Sequence, residues 1–157
     1  MNITLREINE NDLPVFFEFQ KDHDALQMAA FTAKEPDNWE QFMNHWNKIL
    51  GDESIVKRAI IVEQEVVGNI ICFKQFGEWE VTYWIDRKFW GKGIASNALR
   101  ELLNIVSIRP LYGRTAKDNI SSLRVLEKCG FQIIGEDTGY ANARNKEIEE
   151  YIFKLTD

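Results

Sequence analysis

The chain has 157 residues, 45% hydrophobic and 28% charged, which supplies one globular domain over residues 1–157 with its own core and leaves little room for a second. Its 25 acidic against 19 basic side chains give a formal charge of -6, a field that repels nucleic acid and anionic membrane and favours cationic small molecules. No apolar run is long enough to span a bilayer and the opening MNITLREINENDLP lacks the order of a signal peptide, so a cytoplasmic protein is expected.

Alternation in ITLREI predicts a first strand over 3–8, followed by Asn9 and Asn11 as capping side chains. Pro14 suits the first turn of a helix, and Phe16, Phe17, Phe19, Leu26, Met28 and Phe31 form one aromatic-rich helical stretch around His23. In PDNWEQFMNHWNKILGD, Asp37 is the expected cap, Trp39, Phe42, Met43, Trp46 and Leu50 recur at helical spacing, and Gly51 is the stop. Between Arg58 and Ile85 three β-branched runs, jointed at Gln64-Glu65 and at Phe76-Gly77, predict an antiparallel meander. A helix follows with Ile94, Ala98, Leu99, Leu102, Leu103 and Val106 as its buried stripe. LYGRTA is the next strand. Asn119 or Ser121 then caps a helix that runs to Cys129 and stops at Gly130, and FQIIGED and EIEEYIFKL are the last two strands. The order is that of a mixed α+β layer fold, and the strand–helix–strand unit in its middle predicts a parallel pair between the strand ending at Ile85 and the one starting near Leu111. Cys72 and Cys129 lack Cys-x-x-Cys spacing, so they are expected as buried small apolar residues, with no metal site.

The junction RKFWGKGIAS is the chemically informative stretch. Gly91 and Gly93 allow positive φ or close approach to the main chain, and a helix starts directly behind them with its first amides unpaired. That combination suits phosphate oxygens, with Arg87, Lys88 and Lys92 as nearby cations; a tight strand-to-helix turn without a ligand has the same sequence. Gly93-Ile94-Ala95-Ser96 does not supply the Gly-Lys-Ser/Thr of a Walker loop. A dinucleotide fingerprint also fails, because the following strand ends in Thr115-Ala116-Lys117 without an acidic residue.

YWIDRKFWGKGIASNAL followed by RTAKDNISSLRVLEKCGF resembles the cofactor signature of the GNAT acyltransferase superfamily, in the branch of the RimJ and RimL N-terminal acetyltransferases. Gly93 and Ala95 match the end of its Gln/Arg-x-x-Gly-x-Gly/Ala loop, with Trp90 in place of the leading Gln/Arg. Asn119, Ser122, Glu127, Gly130 and Phe131 match the branch's Asn-x-x-Ser helix and its Gly-Phe ending. The resemblance covers nearly the whole chain. It implies a mostly antiparallel sheet with helices on both faces, a splayed central parallel strand pair, and acetyl-CoA as cosubstrate.

On that resemblance the amides from Lys92 through Gly93, Ile94 and Ala95 to Ser96 hold the pyrophosphate, and the strand end at Trp84 and Ile85 pairs with the pantetheine arm as with an added strand. Asn119 is placed either on that arm or only as a helix cap, and Ser122 near the thioester sulfur or bonded back within its helix. Glu80 matches the position of an acidic base, and strand alternation sets Glu80, Thr82 and Trp84 on one face and Val81, Tyr83 and Ile85 on the other. The family's tyrosine acid falls at Leu126, which leaves Tyr83, Tyr140 or water held by Ser122 for that role, or departure of the thiolate unassisted. The helices of the N-terminal part are implied as one wall of the acceptor site, with Met28, Phe31, His45 and Trp46 as candidates, and the stretch TGYANARNKE as the other, with Tyr140 and Arg144. His23 and His45 are expected in packing roles. The expected activity is acetyl transfer to a primary amine on a small molecule or a peptide N-terminus; the alternative is a noncatalytic acyl-CoA-binding module, which Leu126 favours. A homodimer is a further implication, with no surface fixed.

Overall fold

The computed structural model describes residues 1–157. Seven strands form one sheet: β1 (Ile3–Glu7), β2 (Val56–Val62), β3 (Glu65–Gln75), β4 (Glu78–Ile85), β5 (Leu111–Ala116), β6 (Gln132–Ala141) and β7 (Lys146–Leu155). Their spatial order is β1-β2-β3-β4-β5-β7-β6. All neighbours are antiparallel except β4 and β5, which run parallel and pair only at Glu80 opposite Tyr112. Beyond that point the two strands diverge. The long hairpin β6–β7 folds back so that β7 lies beside β5 and β6 becomes an edge.

Helices cover both faces. On one, α4 (Ile94–Ile105) and α5 (Ile120–Lys128) bury Ile94, Ala98, Leu99, Leu102 and Leu126 against Ile60, Ile70, Cys72 and Val81 of the sheet. On the other, α1 (Leu13–Gln20) and α3 (Trp39–Gly51) pack Leu13, Phe16, Phe42 and Trp46 on Ala59 and Ile71. The switch from Ile70 to Ile71 to Cys72 between the two cores is the two-residue period of a strand buried on both sides. Each fully buried aliphatic side chain in these layers contributes roughly 1.5–3 kcal/mol.

Several details differ from the sequence expectation. The strand read as FQIIGED runs on to Ala141, so the first part of TGYANARNKE is strand and not connection. The aromatic stretch around His23 is two helices, α1 and α2 (His23–Ala29), because the Asp22 carboxylate accepts from the Ala25 N–H at 3.0 Å and starts a new turn. The cap of α3 is Asn38, one residue after the expected Asp37. The β2–β3 turn falls on Glu63-Gln64, both at positive φ, one residue earlier than read; Phe76-Gly77 is a second tight turn of that kind, as expected. Helix α2 and the chain after it are fastened to the β6–β7 hairpin: the Ala143 N–H donates to the Ala30 carbonyl at 3.2 Å, and the Asn142 amide donates to the Thr32 carbonyl at 2.7 Å. These bonds hold α2 across the opening between β4 and β5.

Candidate active site

The opening is built from the ladder rule of antiparallel strands. The Asp86 N–H donates to the Val67 carbonyl at 2.8 Å, so Trp84, two residues earlier, also turns its backbone groups toward β3. Tyr83 and Ile85 therefore turn theirs toward β5, where no strand receives them. The Ile85 carbonyl is taken by the Trp90 indole N–H at 2.9 Å, which leaves the Ile85 N–H facing the gap. Trp90 thus fixes the end of the free edge, a role that the sequence signature did not reveal.

Directly after this edge comes a single 3-10 turn, Arg87–Phe89, then Gly91 and Gly93 at φ 77° and 76°. Gly93 caps α4, and the first bond inside the helix is Asn97 N–H to the Gly93 carbonyl at 3.1 Å, so the amides of Ile94, Ala95 and Ser96 have no intrahelical acceptor. A Cβ on Gly93 would meet no protein atom within 4 Å, and glycine is required here by backbone conformation alone. Gly93→Val is therefore expected to distort the helix mouth, lowering CoA affinity at least tenfold in a calorimetric titration at a cost of about 1–2 kcal/mol in stability; unchanged affinity would remove the mouth from the binding site.

Two cavities flank the opening. One, of about 500 Å³, is lined by Trp84, Ile85, Trp90, Gly91, Gly93 and the first turn of α4, faced by Met28 of α2. Its charged lining is Arg124 and Lys128, both cationic and one turn apart on α5. The other, of about 530 Å³, is lined by Phe31, Phe76, Thr82, Tyr140 and four charged residues, Glu80, Arg114, Asp137 and Glu150. Both are bordered by Tyr83, Trp84, Asn119, Ser122 and Ala29, so they meet at the point where β4 and β5 part.

At the junction the Tyr83 hydroxyl and the Ser122 hydroxyl lie 2.9 Å apart, and burial pushes the Tyr83 phenol up to about 12 despite that bond. Asn119 makes the expected cap, its carbonyl oxygen accepting from the Ser122 N–H of α5 at 3.3 Å, while its amide donates to the Met28 carbonyl of α2 at 3.3 Å, a contact the sequence did not suggest. Glu80 is only 5% exposed. Burial raises its pKa above the ordinary carboxylate value, and Arg114, whose Nε donates to it at 2.9 Å, offsets only part of that rise. The same guanidinium reaches Glu150 at 2.7 Å and Asp137 at 3.1 Å and lies over the Phe76 ring, 5.3 Å from its centroid.

Of the remaining expected site residues, some border the two cavities and others do not. Arg87 is not a lining residue of the glycine-loop cavity; its guanidinium binds Asp22 at 2.8 Å and ties that loop to the start of α2. Lys92 is exposed and sits over the Phe89 ring at 5.6 Å. The Ser96 hydroxyl donates back to the Gly93 carbonyl at 3.2 Å, while its backbone stays in the helix mouth. Trp46 is a core residue between Phe16 and Phe42. His45 stands edge-on to Trp46, its pKa lowered by burial and by Lys48, and borders neither cavity. Arg144 donates to both oxygens of Asp118 and to the Gln27 carbonyl, and borders neither cavity. Met28 borders the glycine-loop cavity, whereas Phe31 and Tyr140 border the acidic one. Leu126 is 3% exposed, packed against Gly113.

Arg114, Asp137, Glu150, Arg124 and Lys128 were not singled out from the sequence. A signal existed for each group. Arg114 is the one charged residue of β5, in the sequence LYGRTA. Asp137 and Glu150 face one another in register across β6 and β7, where like charges repel unless a cation joins them. Arg124 and Lys128 share one helix face at a spacing of four.

This constellation, a splayed parallel pair closed by a glycine-initiated helix, is accompanied by direct likeness to known proteins. The acetyltransferase (GNAT) domain family matches residues 2–132, and the chain belongs to that family. It is thus an acetyltransferase, with acetyl-CoA as cosubstrate. The uncharacterised N-acetyltransferase p20 of Bacillus licheniformis is 25% identical over 98% of this chain and 92% of its own length. A solved structure proposed to be a phosphinothricin N-acetyltransferase is 27% identical with a TM-score of 0.84, covering 99% of this chain and 98% of the other. The spermidine N-acetyltransferase of Vibrio cholerae, solved with CoA and spermine, shares the fold at a TM-score of 0.83 and 16% identity, over 98% of this chain and 95% of that one. RimJ of Mycobacterium smegmatis, solved with CoA-disulfide, shares it at 0.80 and 16% identity, over 98% and 81%. No helix is long and apolar enough to cross a membrane.

Proposed function

We propose that residues 1–157 act as one acetyltransferase domain that passes the acetyl group from acetyl-CoA directly to a primary amine, on a small molecule or a peptide terminus, in a ternary complex. The observation that carries this reading is the meeting of two oppositely charged cavities at Tyr83, Trp84 and Ser122. Donor and acceptor entering from opposite sides are thereby held together, which alone supplies much of the rate.

The donor side fits CoA on this chain's own terms. The unpaired amides of Ile94, Ala95 and Ser96 receive the pyrophosphate, with Arg124 and Lys128 as added cations, and the Ile85 N–H binds an amide carbonyl of the pantetheine arm. The bound donor supplies a thioester carbonyl at the junction. Glu80 takes a proton from the incoming ammonium, directly or through water, and the neutral nitrogen attacks that carbonyl carbon. As the C–N bond forms and the C–S bond breaks, a backbone N–H of the open edge donates to the carbonyl oxygen. The Tyr83 hydroxyl, oriented by Ser122, hydrogen-bonds the departing sulfur. With a pKa pushed up to about 12 it is a far weaker acid than a thiol at about 8.5, so it stabilises the thiolate, and the second proton, released by the acylated nitrogen as the amide forms, passes through water to the sulfur. Tyr140, at 57% exposure on the cavity mouth, is assigned to acceptor contact in place of the acid role. We place the reaction in the cytoplasm, a reading that the two unpaired cysteines support.

The apolar Leu126 at the family's tyrosine position favours one second reading, a CoA-binding module without turnover. Thiol release from acetyl-CoA across a panel of primary amines separates the two: release with any of them is expected. CoA binding in calorimetry with no release across the panel would establish the module instead.

A further inference from the structure

The cavity that takes the acceptor has a charge imbalance built into its walls. Its charged lining consists of three carboxylates, Glu80, Asp137 and Glu150, and one cation, Arg114. The carboxylates come from three strands, β4, β6 and β7, and the guanidinium from β5, between β4 and β7 in the sheet, is shared among all of them. Glu80 and Glu150 are buried, and Asp137 is held in its charged form by the Thr138 N–H and by Arg114. Asp137 and Glu150 are direct cross-strand neighbours, so one guanidinium serves a pair that repels itself as well as Glu80. The other cavity carries only cations, Arg124 and Lys128. Polarity therefore reverses across the junction.

The aromatic lining is independent evidence that a cation is accommodated here. Phe76, at the tip of the β3–β4 hairpin, is 79% exposed, yet its ring already carries the Arg114 guanidinium, and Tyr140 exposes a second ring on the same mouth. An acceptor with a carboxylate near its amine would need a cation to receive it, and the single guanidinium in the cavity is already bound to three acids.

We infer that the acceptor is a small amine bearing a second positive charge, a short diamine or its equivalent, with the reacting nitrogen beside Glu80 and the second cation at the mouth against Asp137, Phe76 and Tyr140. This rests on the acetyl-transfer reading for which nitrogen reacts. The selection of charge by the cavity is separable from it. Both Glu80 and Asp137 touch one guanidinium, so the two cationic positions lie within a short aliphatic span of one another.

Three probes of equal chain length isolate the second charge: 1,4-diaminobutane, n-butylamine and 4-aminobutanoate, with a cationic, a neutral and an anionic far end. In calorimetric titrations of the CoA-saturated protein, the diamine is expected to bind about tenfold more tightly than butylamine and the aminobutanoate more weakly than either. The diamine's advantage is expected to shrink with added salt and to fall to about threefold in Asp137→Asn, an isosteric change at a half-exposed position. Equal affinities for diamine and butylamine, an advantage that Asp137→Asn leaves intact, or tightest binding of the aminobutanoate would overturn the inference. Thiol release with the same compounds reads the reaction separately. Ordered affinities without release would sustain the charge selection and defeat the catalytic reading; release without any preference among the three would do the reverse.

Discussion

Glu80→Gln is expected to reduce kcat for acetyl transfer by about 10²–10⁴-fold, the usual contribution of a positioned acid or base, while the affinity for CoA stays within twofold. Glutamine keeps the size and one hydrogen bond to Arg114 but has no site for a proton. The pH dependence provides a second readout. Burial raises the Glu80 pKa, so the carboxylate needed to accept a proton is lost at higher pH than for a solvated glutamate. The acidic limb of kcat/KM is therefore expected above the ordinary carboxylate range, with activity falling as pH falls through it, and that limb should vanish in the variant. The same shift has a thermodynamic sign. A carboxyl whose folded pKa exceeds its unfolded one favours the native state most below the unfolded pKa, and that contribution disappears as pH rises through the folded pKa. Full activity in Glu80→Gln, with the limb still present, would transfer the proton to another group.

The second large effect is expected at a residue that touches neither substrate. A Cβ on Gly68 would overlap the Trp84 carbonyl oxygen and approach the Ile85 backbone at 3.2 Å. Gly68 lies opposite Ile85 in the β3–β4 register, beside an irregularity in the β2–β3 pairing between Ile60 and Ile61. The obstacle is main chain, so no rotamer change relieves it, and the end of β4 must move. Gly68→Ala is expected to cost about 1–3 kcal/mol of stability, as overpacking does, and to weaken CoA at least tenfold because the Ile85 N–H shifts with the strand. Denaturant midpoints and calorimetry measure the two parts. Gly135→Ala in β6, where a Cβ meets nothing within 4 Å, is the control and should lie within about 0.5 kcal/mol of the parent. A Gly68→Ala protein that binds CoA normally would show that the strand end is not held in place by this contact.

Most of the fold was legible because its signals are local. Strand alternation, the Phe76-Gly77 turn, the stripe on α4 and the Asn119 cap each follow from neighbouring residues, and the glycine junction announced a helix mouth without any long-range information. What stayed hidden was set by contacts between distant parts of the chain. The aromatic residues of α1 and α3 suggest a pocket as readily as a core, and only the sheet face beneath them decides that Trp46 is interior. Arg87 and Arg144 look available in the sequence because their partners, Asp22 and Asp118, lie 65 and 26 residues away. The acid-rich wall was least visible of all, since Glu80, Asp137 and Glu150 converge on Arg114 only after the last hairpin has folded back beside β5.

The single rung between β4 and β5 has a further meaning for the molecule as a whole. Four strands on one flank and three on the other are stitched along most of their lengths, but only lightly to each other. A pantetheine arm lying in the cleft would act as a wedge-shaped tie between the two flanks. The core beneath α4 and α5 runs unbroken under both flanks, from Ile60 and Val81 to Leu111 and Phe153, so the notch is confined to the sheet's edge-to-edge bonding and leaves the layers below it intact.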